Sequence, residues 1–387
     1  MALDLEILAR NLRKFRSRKE LTQQQLADFL SLTPQSISKW ERGQAVPELD
    51  KLCLCADALG VSVSQLLGRS PDARVLMGID GGGTKTEFIL FEEGGKLLKR
   101  LTLGGTNPNQ RGLSHSLSVL ETGIAQLLEP GMELGALFVG CAGFLSGGYG
   151  EKIRQTLQKQ YPDCKIACSS DIMNIIACSS NTRNCIAAIC GTGAVTYANV
   201  NRHLHRLGGA GYLLDTQGSG FDIGRDVLLA VLREQDGIGE KTLLTPLAEK
   251  QLGSTVWDAV GEIYQKGNAF VASFAPLAFS AYEKGDRLAG KILRKHARYQ
   301  ADLIRAAAEK YDCGRNVVLS GGIFTACPVL VEMVKESLPA ALTVEVPDQA
   351  PVYGACLLAC ELLKLDPAPL KESFTKQYES LTEETVC

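Results

Sequence analysis

The sequence predicts a small all-α domain followed by a larger α/β region built from two related halves. Up to about residue 70, apolar residues recur at helical spacing, and from Arg74 the pattern changes to short strands separated by glycine turns. The succession of strand, glycine turn and strand occurs twice, around Gly81-Gly82-Gly83 and around Gly191-Thr192-Gly193, which indicates a duplicated fold. The 387 residues suffice for two or three domains.

Composition restricts the functional class. Hydrophobic residues make up 45% of the chain and charged residues 22%, the balance of a folded globular protein. A net charge of −2 argues against a protein that coats nucleic acid along its whole length. No run of eighteen apolar residues occurs, so we expect no membrane partner. The 13 cysteines, an odd number without a secretory signal, favour reduced thiols and a cytoplasmic location.

The changes of pattern divide the chain into five segments. They are a helical domain (1–70), a turn-rich linker (71–74), a first α/β half (75–183), a second α/β half (184–365) and a polar tail (366–387). We expect the tail to be loose, because it is polar and terminal.

The helical domain carries clear start signals for two short consecutive helices. Thr22 is placed as the N-cap of QQQLADFL, and Thr33 as the N-cap of PQSISKWERG, with Pro34 in its first turn. Only Ser31-Leu32 separates the two helices. This spacing predicts a helix-turn-helix.

This block resembles the phage-repressor-like (XRE-type) helix-turn-helix family. The family pattern is close to L-T-Q-x-x-L-A…S-I-S-x-W-E-x-G…P, and the matching residues are Leu21, Thr22, Gln23, Leu26, Ala27, Ile37, Ser38, Trp40, Glu41, Gly43 and Pro47. The resemblance implies DNA as a partner, bound through residues 20–43. Basic residues without an intervening acid between Arg10 and Lys19 favour attraction to the DNA backbone.

The second helix of such a pair lies in the major groove, where its first residues reach base edges. Gln35 and Ser36 are therefore the predicted base-reading residues. Lys39 is expected to donate to guanine or phosphate, and Gln23 and Arg42 to approach phosphates. A protein-binding helical module is the alternative, but the polar residues of the second helix favour DNA.

From Arg74 onward the sequence predicts strands and helices in alternation. The first half contains the strands RVLMGID, TEFILF and KLLKRLTLG, a helix (112–129), the strand ELGALFVGCAG, a helix (149–160) and the strand CKIACSSD. The second half opens with two strands around a glycine turn in NCIAAICGTGAVTYANV. Helices are expected between 241 and 310, before the buried strand of NVVLSGGIF.

The glycine turns indicate phosphate binding. At Gly81, Gly82, Gly83 and Thr84, and again at Gly191, Thr192 and Gly193, the missing side chains let backbone N–H groups close on an anion. Neither turn is a dinucleotide-binding or P-loop motif, because each leads into a strand. Asp80 is placed to hold Mg²⁺ through water, and Lys85 and Thr86 to reach a transferred phosphoryl group. A ligand-free hairpin turn is the alternative for either turn alone.

A third glycine pair, Gly321 and Gly322, ends a buried strand and can pack against adenine. The ordered set of motifs resembles the sugar-kinase, heat-shock-protein and actin superfamily. Within it, residues 75–365 are similar to the BadF/BadG/BcrA/BcrD ATPase family, which includes N-acetylglucosamine kinases. The resemblance implies two ribonuclease-H-like (actin-like ATPase) halves, with ATP and Mg²⁺ in a nucleotide cleft between them.

The resemblance also implies the sugar-binding residues. Asp171, in CSSDIMN, matches the family's base for the sugar hydroxyl, and Asn107, in GGTNPNQ, matches its sugar-binding Asn. Gly143 and Thr192 would line the same site. The N-cap of the following helix is the alternative role for Asp171.

One motif departs from the family. Its kinases carry Gly-Asp-Glu-Gly-Ser after a Gly-Gly-x-Gly stretch, whereas this chain has Asp215-Thr216-Gln217-Gly218-Ser219. Aligned on Gly218-Ser219, Thr216 and Gln217 replace both carboxylates. Asp215 and Thr216 remain the predicted sugar contacts, although Asp215 can substitute only if the backbone shifts by one residue. We therefore expect weaker or altered sugar recognition.

Three functions are consistent with these motifs. The first is a sugar-responsive DNA-binding protein that transfers a phosphoryl group from ATP to a hexosamine such as N-acetylglucosamine, with Asp171 as base. The second is a non-catalytic regulator, a homodimer in which ATP or sugar changes the spacing of two recognition helices. The third, an iron–sulfur activator of a radical dehydratase, is disfavoured because Cys190 lacks a second matching cysteine.

Overall fold

The chain folds into two compact units. The first comprises Met1–Asp171 and Ala355–Cys387, and the second comprises Ile172–Gly354. The computed structural model describes residues 5–67, 74–129, 131–215, 217–381 and 383–385, so residues 71–73 of the predicted linker lie outside the described residues. Among the described helices, none is long and apolar enough to cross a membrane.

The described residues of the first unit begin with five helices. They are α1 (Leu5–Arg18), α2 (Gln23–Leu30), α3 (Pro34–Glu41), α4 (Leu49–Leu59) and α5 (Val63–Leu66). The Thr22 side chain accepts a hydrogen bond from the Gln25 amide and caps α2, and Thr33 caps α3 in the same way through the Ser36 amide. The buried side chains between these helices include Leu26, Ile37 and Trp40. The predicted helix-turn-helix is confirmed.

The buried carboxylate of Glu41 links Arg16 of α1 to Gln23 of α2. Glu41 is 3% exposed. Its Oε1 accepts a hydrogen bond from Arg16 Nε at 2.5 Å, and its Oε2 accepts one from Gln23 Nε2 at 2.7 Å. Burial raises the pKa of Glu41, but the hydrogen bonds from Arg16 and Gln23 outweigh it, and the pKa falls below its ordinary value. Arg16 therefore supports the fold and is not a free member of the basic cluster.

The rest of the first unit is built on a twisted sheet. Its elements are β1 (Arg74–Gly81), β2 (Lys85–Glu92), β3 (Leu97–Gly104), α6 (Pro108–Arg111), α7 (Leu113–Leu127), β4 (Glu133–Cys141), α8 (Tyr149–Gln160) and β5 (Lys165–Ser169). The strand order is β3-β2-β1-β4-β5. The first three strands are antiparallel neighbours, whereas β4 and β5 run parallel to β1.

The helix-turn-helix contacts the start of β4. Gln65 is 5% exposed, and its side-chain amide donates to the backbone carbonyl of Gly131. Arg18 Nη1 lies 3.8 Å from Glu133 Oε2. Asn11 Nδ2 donates to the Gln65 carbonyl at 2.9 Å and so holds α5 against α1. These contacts attach the five helices to the first residues of one strand.

The second unit repeats this sheet. Its strands are β6 (Asn184–Cys190), β7 (Ala194–Val200), β8 (His203–Leu207), β9 (Asn316–Ser320) and β10 (Thr343–Glu345). The order β8-β7-β6-β9-β10 combines three antiparallel neighbours with two parallel strands, as in the first unit. The predicted pair of ribonuclease-H-like α/β halves is therefore confirmed.

Among the described residues of the second unit, eight helices precede α17 (Pro351–Leu363). They are α9 (Ile172–Ala177), α10 (Gly220–Gln235), α11 (Leu244–Leu252), α12 (Val260–Ala272), α13 (Ala275–Glu283), α14 (Arg287–Lys310), α15 (Gly322–Ala326) and α16 (Pro328–Glu336). The helical region expected between 241 and 310 corresponds to α11–α14. Helix α17 follows them and continues into the first unit.

The described part of the C-terminal tail, residues 366–381 and 383–385, is folded, contrary to expectation. It forms α18 (Ala368–Gln377) and β11 (Glu383–Thr385), and β11 pairs in parallel with β3 as the sixth strand of the first sheet. Leu370 and Phe374 are buried, and the Tyr378 hydroxyl donates to Glu87 Oε1 at 2.7 Å. Burial of two apolar residues against β3 stabilises a segment that looks polar in sequence.

Candidate functional site

Three neighbouring strands of the first unit end side by side. Asp80 of β1 pairs in register with Gly140 of β4, and Gly140 pairs with Ser169 of β5. Asp171 lies just beyond Ser169, is half-buried, and accepts a hydrogen bond from Ser170 Oγ at 2.8 Å. The carboxyl ends of parallel strands form the edge where ligands bind in open α/β sheets. The two predicted carboxylates therefore share one edge.

The first glycine turn lies at the same edge and is closed by backbone hydrogen bonds. The Gly82 amide donates to the Lys85 carbonyl at 2.8 Å, and the Thr106 amide donates to the Gly82 carbonyl at 3.0 Å. Within the described residues, the amides of Gly83 and Thr84 donate to no protein acceptor. Two adjacent backbone donors of this kind can bind phosphate oxygens.

Close packing explains why β1 ends in glycine. A side chain at Gly81 would collide with Cys141 Sγ and Thr106 Oγ1. The thiol of Cys141 is fully buried, and burial raises its pKa well above the ordinary value. The nearby carboxylates of Asp80 and Asp171 raise the pKa further. The thiol therefore stays protonated and acts as packing beneath the two carboxylates.

The two side chains that follow the turn have different surroundings. Lys85 is exposed, as a phosphate-binding residue requires. Thr86 is fully buried, and its hydroxyl donates to the Gly104 carbonyl at 2.9 Å and lies 2.9 Å from Thr106 Oγ1. Thr86 therefore stabilises the turn through these buried hydroxyl contacts.

Two predicted sugar-binding residues of the first unit, Asn107 and Gly143, are brought together. Asn107 Oδ1 accepts a hydrogen bond from the Asn109 amide at 3.0 Å and caps α6. Asn109 Nδ2 donates to Ser146 Oγ at 3.0 Å, and Ser146 Oγ donates to the Gly143 carbonyl at 3.0 Å. The loop after β3 and the loop after β4 are therefore joined around Asn107 and Gly143.

The second unit assembles its own glycine site. The Gly191 amide donates to the Gly193 carbonyl at 2.8 Å, which closes the second turn. The Gly220 amide donates to the Gly191 carbonyl at 2.8 Å, and a side chain at Gly321 would collide with the backbone of Cys190. Gly322 begins α15. The second glycine turn and the Gly321-Gly322 pair therefore lie close together.

Asp215 is engaged within its own loop. Its Oδ2 accepts a hydrogen bond from the Gly209 amide at 2.6 Å, and its Oδ1 accepts one from the Tyr299 hydroxyl. Burial and this hydrogen bond raise the pKa of Tyr299. The predicted sugar contact Thr216 lies outside the described residues. Asp215 is thus positioned to shape the loop.

Two residues that form hydrogen bonds to the 215–218 stretch were not predicted from the sequence. Tyr299 lies 84 residues after Asp215, and His296, which accepts a hydrogen bond from the Gly218 amide, lies 78 residues after that glycine. Both belong to the amphipathic helix α14, where their side chains look like ordinary members of a buried face. No local motif marks them, so only the fold reveals their role.

The helix-turn-helix presents part of the predicted DNA-contact set at its surface. Gln35, Lys39 and Arg42 are exposed. Gln23 is instead bonded to Glu41, and the Ser36 hydroxyl lies 3.0 Å from Thr33 Oγ1 at the start of α3. The first three side chains can therefore reach DNA directly, while the other two also serve the local fold.

The described residues contain no metal cluster beside these motifs. Across the part of the chain that the structure describes, no group of three or more His, Cys, Asp or Glu side chains is arranged to hold a metal ion. A Mg²⁺ ion that enters with a nucleotide needs only one or two carboxylates, because phosphate and water supply its other ligands. Asp80 at the strand edge fits that requirement.

Two protein families match the chain. The BadF/BadG/BcrA/BcrD ATPase family matches residues 77–359, and a helix-turn-helix family matches residues 12–66. The N-acetyl-D-glucosamine kinase of Dictyostelium discoideum is 28% identical over 325 residues, which cover 74% of this chain and 97% of that protein. An N-acetylmuramic acid/N-acetylglucosamine kinase of Clostridium acetobutylicum is 29% identical over 261 residues, covering 65% of this chain and 85% of that kinase.

Solved structures share the fold. A protein of Porphyromonas gingivalis, provisionally named an N-acetylglucosamine kinase, has a TM-score of 0.58 and 21% identity over 74% of this chain and 98% of its own. A ROK family transcriptional regulator, described as a homologue of the E. coli MLC protein, has a TM-score of 0.50 and 15% identity. It covers 96% of this chain and 99% of its own. At these identities the similarity concerns the fold alone.

Proposed function

Because the chain belongs to the BadF/BadG/BcrA/BcrD ATPase family and carries an XRE-type helix-turn-helix, we propose that it is a sugar-responsive DNA-binding protein with ATP-dependent sugar kinase activity. The proposed substrate is a hexosamine such as N-acetylglucosamine, which two of its relatives are named for. The observation that carries the proposal is the shared strand edge, where Asp80, the first glycine turn and Asp171 occur together.

Asp171 is the proposed general base. Its carboxylate would accept the proton of a sugar hydroxyl while that oxygen attacks the terminal phosphorus of ATP. The bond between this phosphorus and its bridging oxygen breaks, and ADP leaves with the bridging oxygen. Asn107, held beside Gly143 by the bonds described above, would orient the sugar. The product would be a sugar phosphate.

The glycine turns would bind the phosphate groups. The amides of Gly83 and Thr84 in the first turn, and those of Thr192 and Gly193 in the second, are the proposed donors to phosphate oxygens, while the Gly191 amide closes the second turn. Lys85 adds a positive charge close to the first turn. Asp80 would hold the water shell of Mg²⁺, which neutralises phosphate charge when it is bound.

The test is ADP release from purified protein with a panel of hexosamines. Asp171→Asn keeps the shape of the side chain but removes the base, so we expect turnover to fall by roughly 10²- to 10⁴-fold while MgATP binding persists. Asp163→Asn is the matched control, because Asp163 is an exposed acid in the same region of the chain. Equal turnover in the Asp171 variant and the wild type would remove Asp171 from this role.

A second candidate function is a regulator that binds ATP and sugar without turnover. The absence of both family carboxylates at Thr216 and Gln217 favours it, because a charged partner of the sugar hydroxyls is lost. A band-shift assay in which sugar or ATP changes DNA affinity, with no ADP release, would support it. Introducing Thr216→Asp with Gln217→Glu should then strengthen sugar binding, and Thr216→Asn with Gln217 retained is the control.

DNA binding is proposed to use Gln35 for base edges and Lys39 and Arg42 for nearby contacts. A homodimer would present two such helices to a two-fold symmetric DNA site. If Lys39 contacts phosphate, Lys39→Ala weakens binding to all sequences alike and reduces the salt dependence by about one phosphate contact. A change confined to one base position would instead assign Lys39 to base reading.

A further inference from the structure

A buried histidine on α14, His296, holds Gly218, the glycine that follows the Asp215-Thr216-Gln217 stretch where the chain departs from the family motif. His296 is 0% exposed, and its Nδ1 accepts a hydrogen bond from the Gly218 amide at 3.0 Å. Because Nδ1 is the acceptor, the ring proton of the neutral form resides on Nε2. Nε2 lies 3.0 Å from Asp226 Oδ2, to which it donates. Both ring nitrogens are therefore used, one by the backbone and one by a carboxylate.

Asp226 orients this ring from α10. Its Oδ2 also accepts a hydrogen bond from Lys295 Nζ at 2.6 Å, and its side chain is 12% exposed. Burial raises the pKa of Asp226, but the hydrogen bonds from His296 and Lys295 outweigh it and lower the pKa to about 2. The carboxylate is thus ionised at neutral pH and keeps the Nε2–H tautomer in place.

The same glycine is held from its other side. The Gly218 carbonyl accepts hydrogen bonds from Gln300 Nε2 at 2.7 Å and from Cys190 Sγ at 3.1 Å. Cys190 is the last residue of β6 and immediately precedes the second glycine turn. Gln300 lies one helical turn after His296 on α14, so two residues of one helix face fix both polar groups of one peptide segment.

The support continues into the second glycine turn. Directly after Gly218, Ser219 caps α10. The Gly220 amide then donates to the Gly191 carbonyl at 2.8 Å, and the Phe221 amide donates to the Thr192 carbonyl at 3.1 Å. A displacement of Gly218 would therefore move the two residues that hold the turn.

We propose that His296, oriented by Asp226, is a positioning residue that fixes the 218–220 segment and, through it, the second glycine turn in the geometry that binds the phosphate groups of a nucleoside triphosphate. This inference rests on the proposed function, since it assumes that the turn binds phosphate. It does not require turnover, and it holds equally for a kinase and for a sensor.

Three substitutions test the two hydrogen bonds of the His296 ring separately. His296→Asn keeps an acceptor near the position of Nδ1, so the bond from the Gly218 amide persists. His296→Gln places its amide near the position of Nε2, so it serves Asp226 but not Gly218. His296→Leu removes both. His205→Leu is the control, because His205 is a half-buried histidine of the same unit that stacks on Tyr311.

The measurement is MgATP affinity of the full chain by titration calorimetry, beside thermal unfolding of each variant. We expect His296→Gln and His296→Leu to weaken MgATP binding by about tenfold, and His296→Asn and His205→Leu to bind within about threefold of the wild type. Should His296→Leu fail to fold, the Asn and Gln variants decide the question.

Three results would overturn the inference, and one of them also overturns the proposed function. If the folded Gln variant binds MgATP as the wild type does, His296 is only a core residue. If the Asn and Gln variants lose affinity equally, general packing is responsible and the bond to Gly218 is not. If the wild type itself does not bind MgATP, the proposed function fails as well.

Discussion

Glu41 is a buried residue at the end of α3, the helix that carries the predicted DNA contacts Gln35 and Lys39. The residue is part of the family pattern, yet its carboxylate points into the fold and joins Arg16 of α1 to Gln23 of α2. The exposed residues Gln35 and Lys39 lie on the helix that ends at Glu41. A buried ion pair of this kind is costly to break, because the remaining partner is left buried and uncompensated.

We predict that Glu41→Gln lowers the stability of the helix-turn-helix by about 3 kcal/mol. The chain holds two tryptophans, of which Trp40 is buried beside Glu41 and Trp257 is 55% exposed. In a Trp257→Phe background, urea titration followed by Trp40 fluorescence measures this region alone. An unchanged midpoint would contradict the prediction.

The same carboxylate predicts a pH dependence. The pKa of Glu41 in the folded protein lies below its ordinary value of 4.5. Its stabilisation is therefore present above about pH 4.5 and is lost as the pH falls through the lower, folded value. Trp40 fluorescence should show a smaller acid-induced loss of stability in Glu41→Gln than in the parent. Identical acid profiles would argue against this role.

At the scale of an element, the first hairpin turn depends on the close approach of three chain segments. Gly81 ends β1 against Cys141 of β4 and Thr106 of the loop after β3. The hairpin of β2 and β3 also turns at a glycine, but a side chain at Gly94 would meet no atom within 4 Å. The two glycines therefore offer a matched comparison between a site-forming turn and an ordinary one.

Gly81→Ala should cost about 1–3 kcal/mol of stability through overpacking and should also weaken MgATP binding. Gly94→Ala should change neither property measurably. Calorimetric titration and thermal unfolding of the two variants provide the comparison. Equal behaviour of both variants would show that the packing at Gly81 tolerates a methyl group.

The tail shows where an element could not be predicted. Only Leu370 and Phe374 of α18 are buried, and their neighbours are polar, so the segment lacks the broad apolar face that marks a helix in sequence. The segment packs against β3, where the Leu97 amide donates a hydrogen bond to Gln377 Oε1 at 3.2 Å across 280 residues of chain. Local patterns carry no information about such a partner.

Phe374→Ala tests this docking. Removing a fully buried phenyl ring should destabilise the first unit by about 3–5 kcal/mol. Phe29→Ala is the control, because Phe29 is 66% exposed and should cost little. Urea unfolding measures both, and equal stabilities would mean that the tail contributes nothing to the unit.

The features that could be predicted from the sequence are those encoded by adjacent residues. The threonine caps, the glycine turns and the alternation of strands and helices are of this kind, and all appear at the predicted positions. The roles of His296 and Tyr299, which form hydrogen bonds to Gly218 and Asp215, could not be predicted because these partners lie some 80 residues apart in the chain. Features formed by neighbouring residues could be predicted, whereas hydrogen-bond partners distant in the sequence could not.

At the scale of the whole molecule, the contact of Gln65 with Gly131 connects the helix-turn-helix to the sheet. Arg18 and Glu133 add an exposed pair, which contributes little on its own. Within the described residues, the side-chain amide of Gln65 provides a buried polar link between the helix-turn-helix and the sheet.

We predict that Gln65→Ala loosens this link. Amide hydrogen exchange should become faster in residues 63–67 and 131–133 of the full chain, since both lose a buried hydrogen bond. Gln155→Ala removes an exposed bond to Glu151 on α8 and should leave exchange in those residues unchanged. If exchange is also unchanged in Gln65→Ala, other contacts hold the helices in place.

Strand β4 meets Gln65 and Arg18 at its beginning and ends beside the Gly143 loop. Its nine residues span about 30 Å, and hydrogen bonds on both sides make it hard to bend. A shift of its final residues would therefore also displace its first residues, where Gln65 and Arg18 of the helix-turn-helix make their contacts. If the chain binds sugar and DNA as proposed, thermodynamic reciprocity requires that the factor by which sugar changes DNA affinity equals the factor by which DNA changes sugar affinity. Measuring the effect in one direction fixes its size in the other.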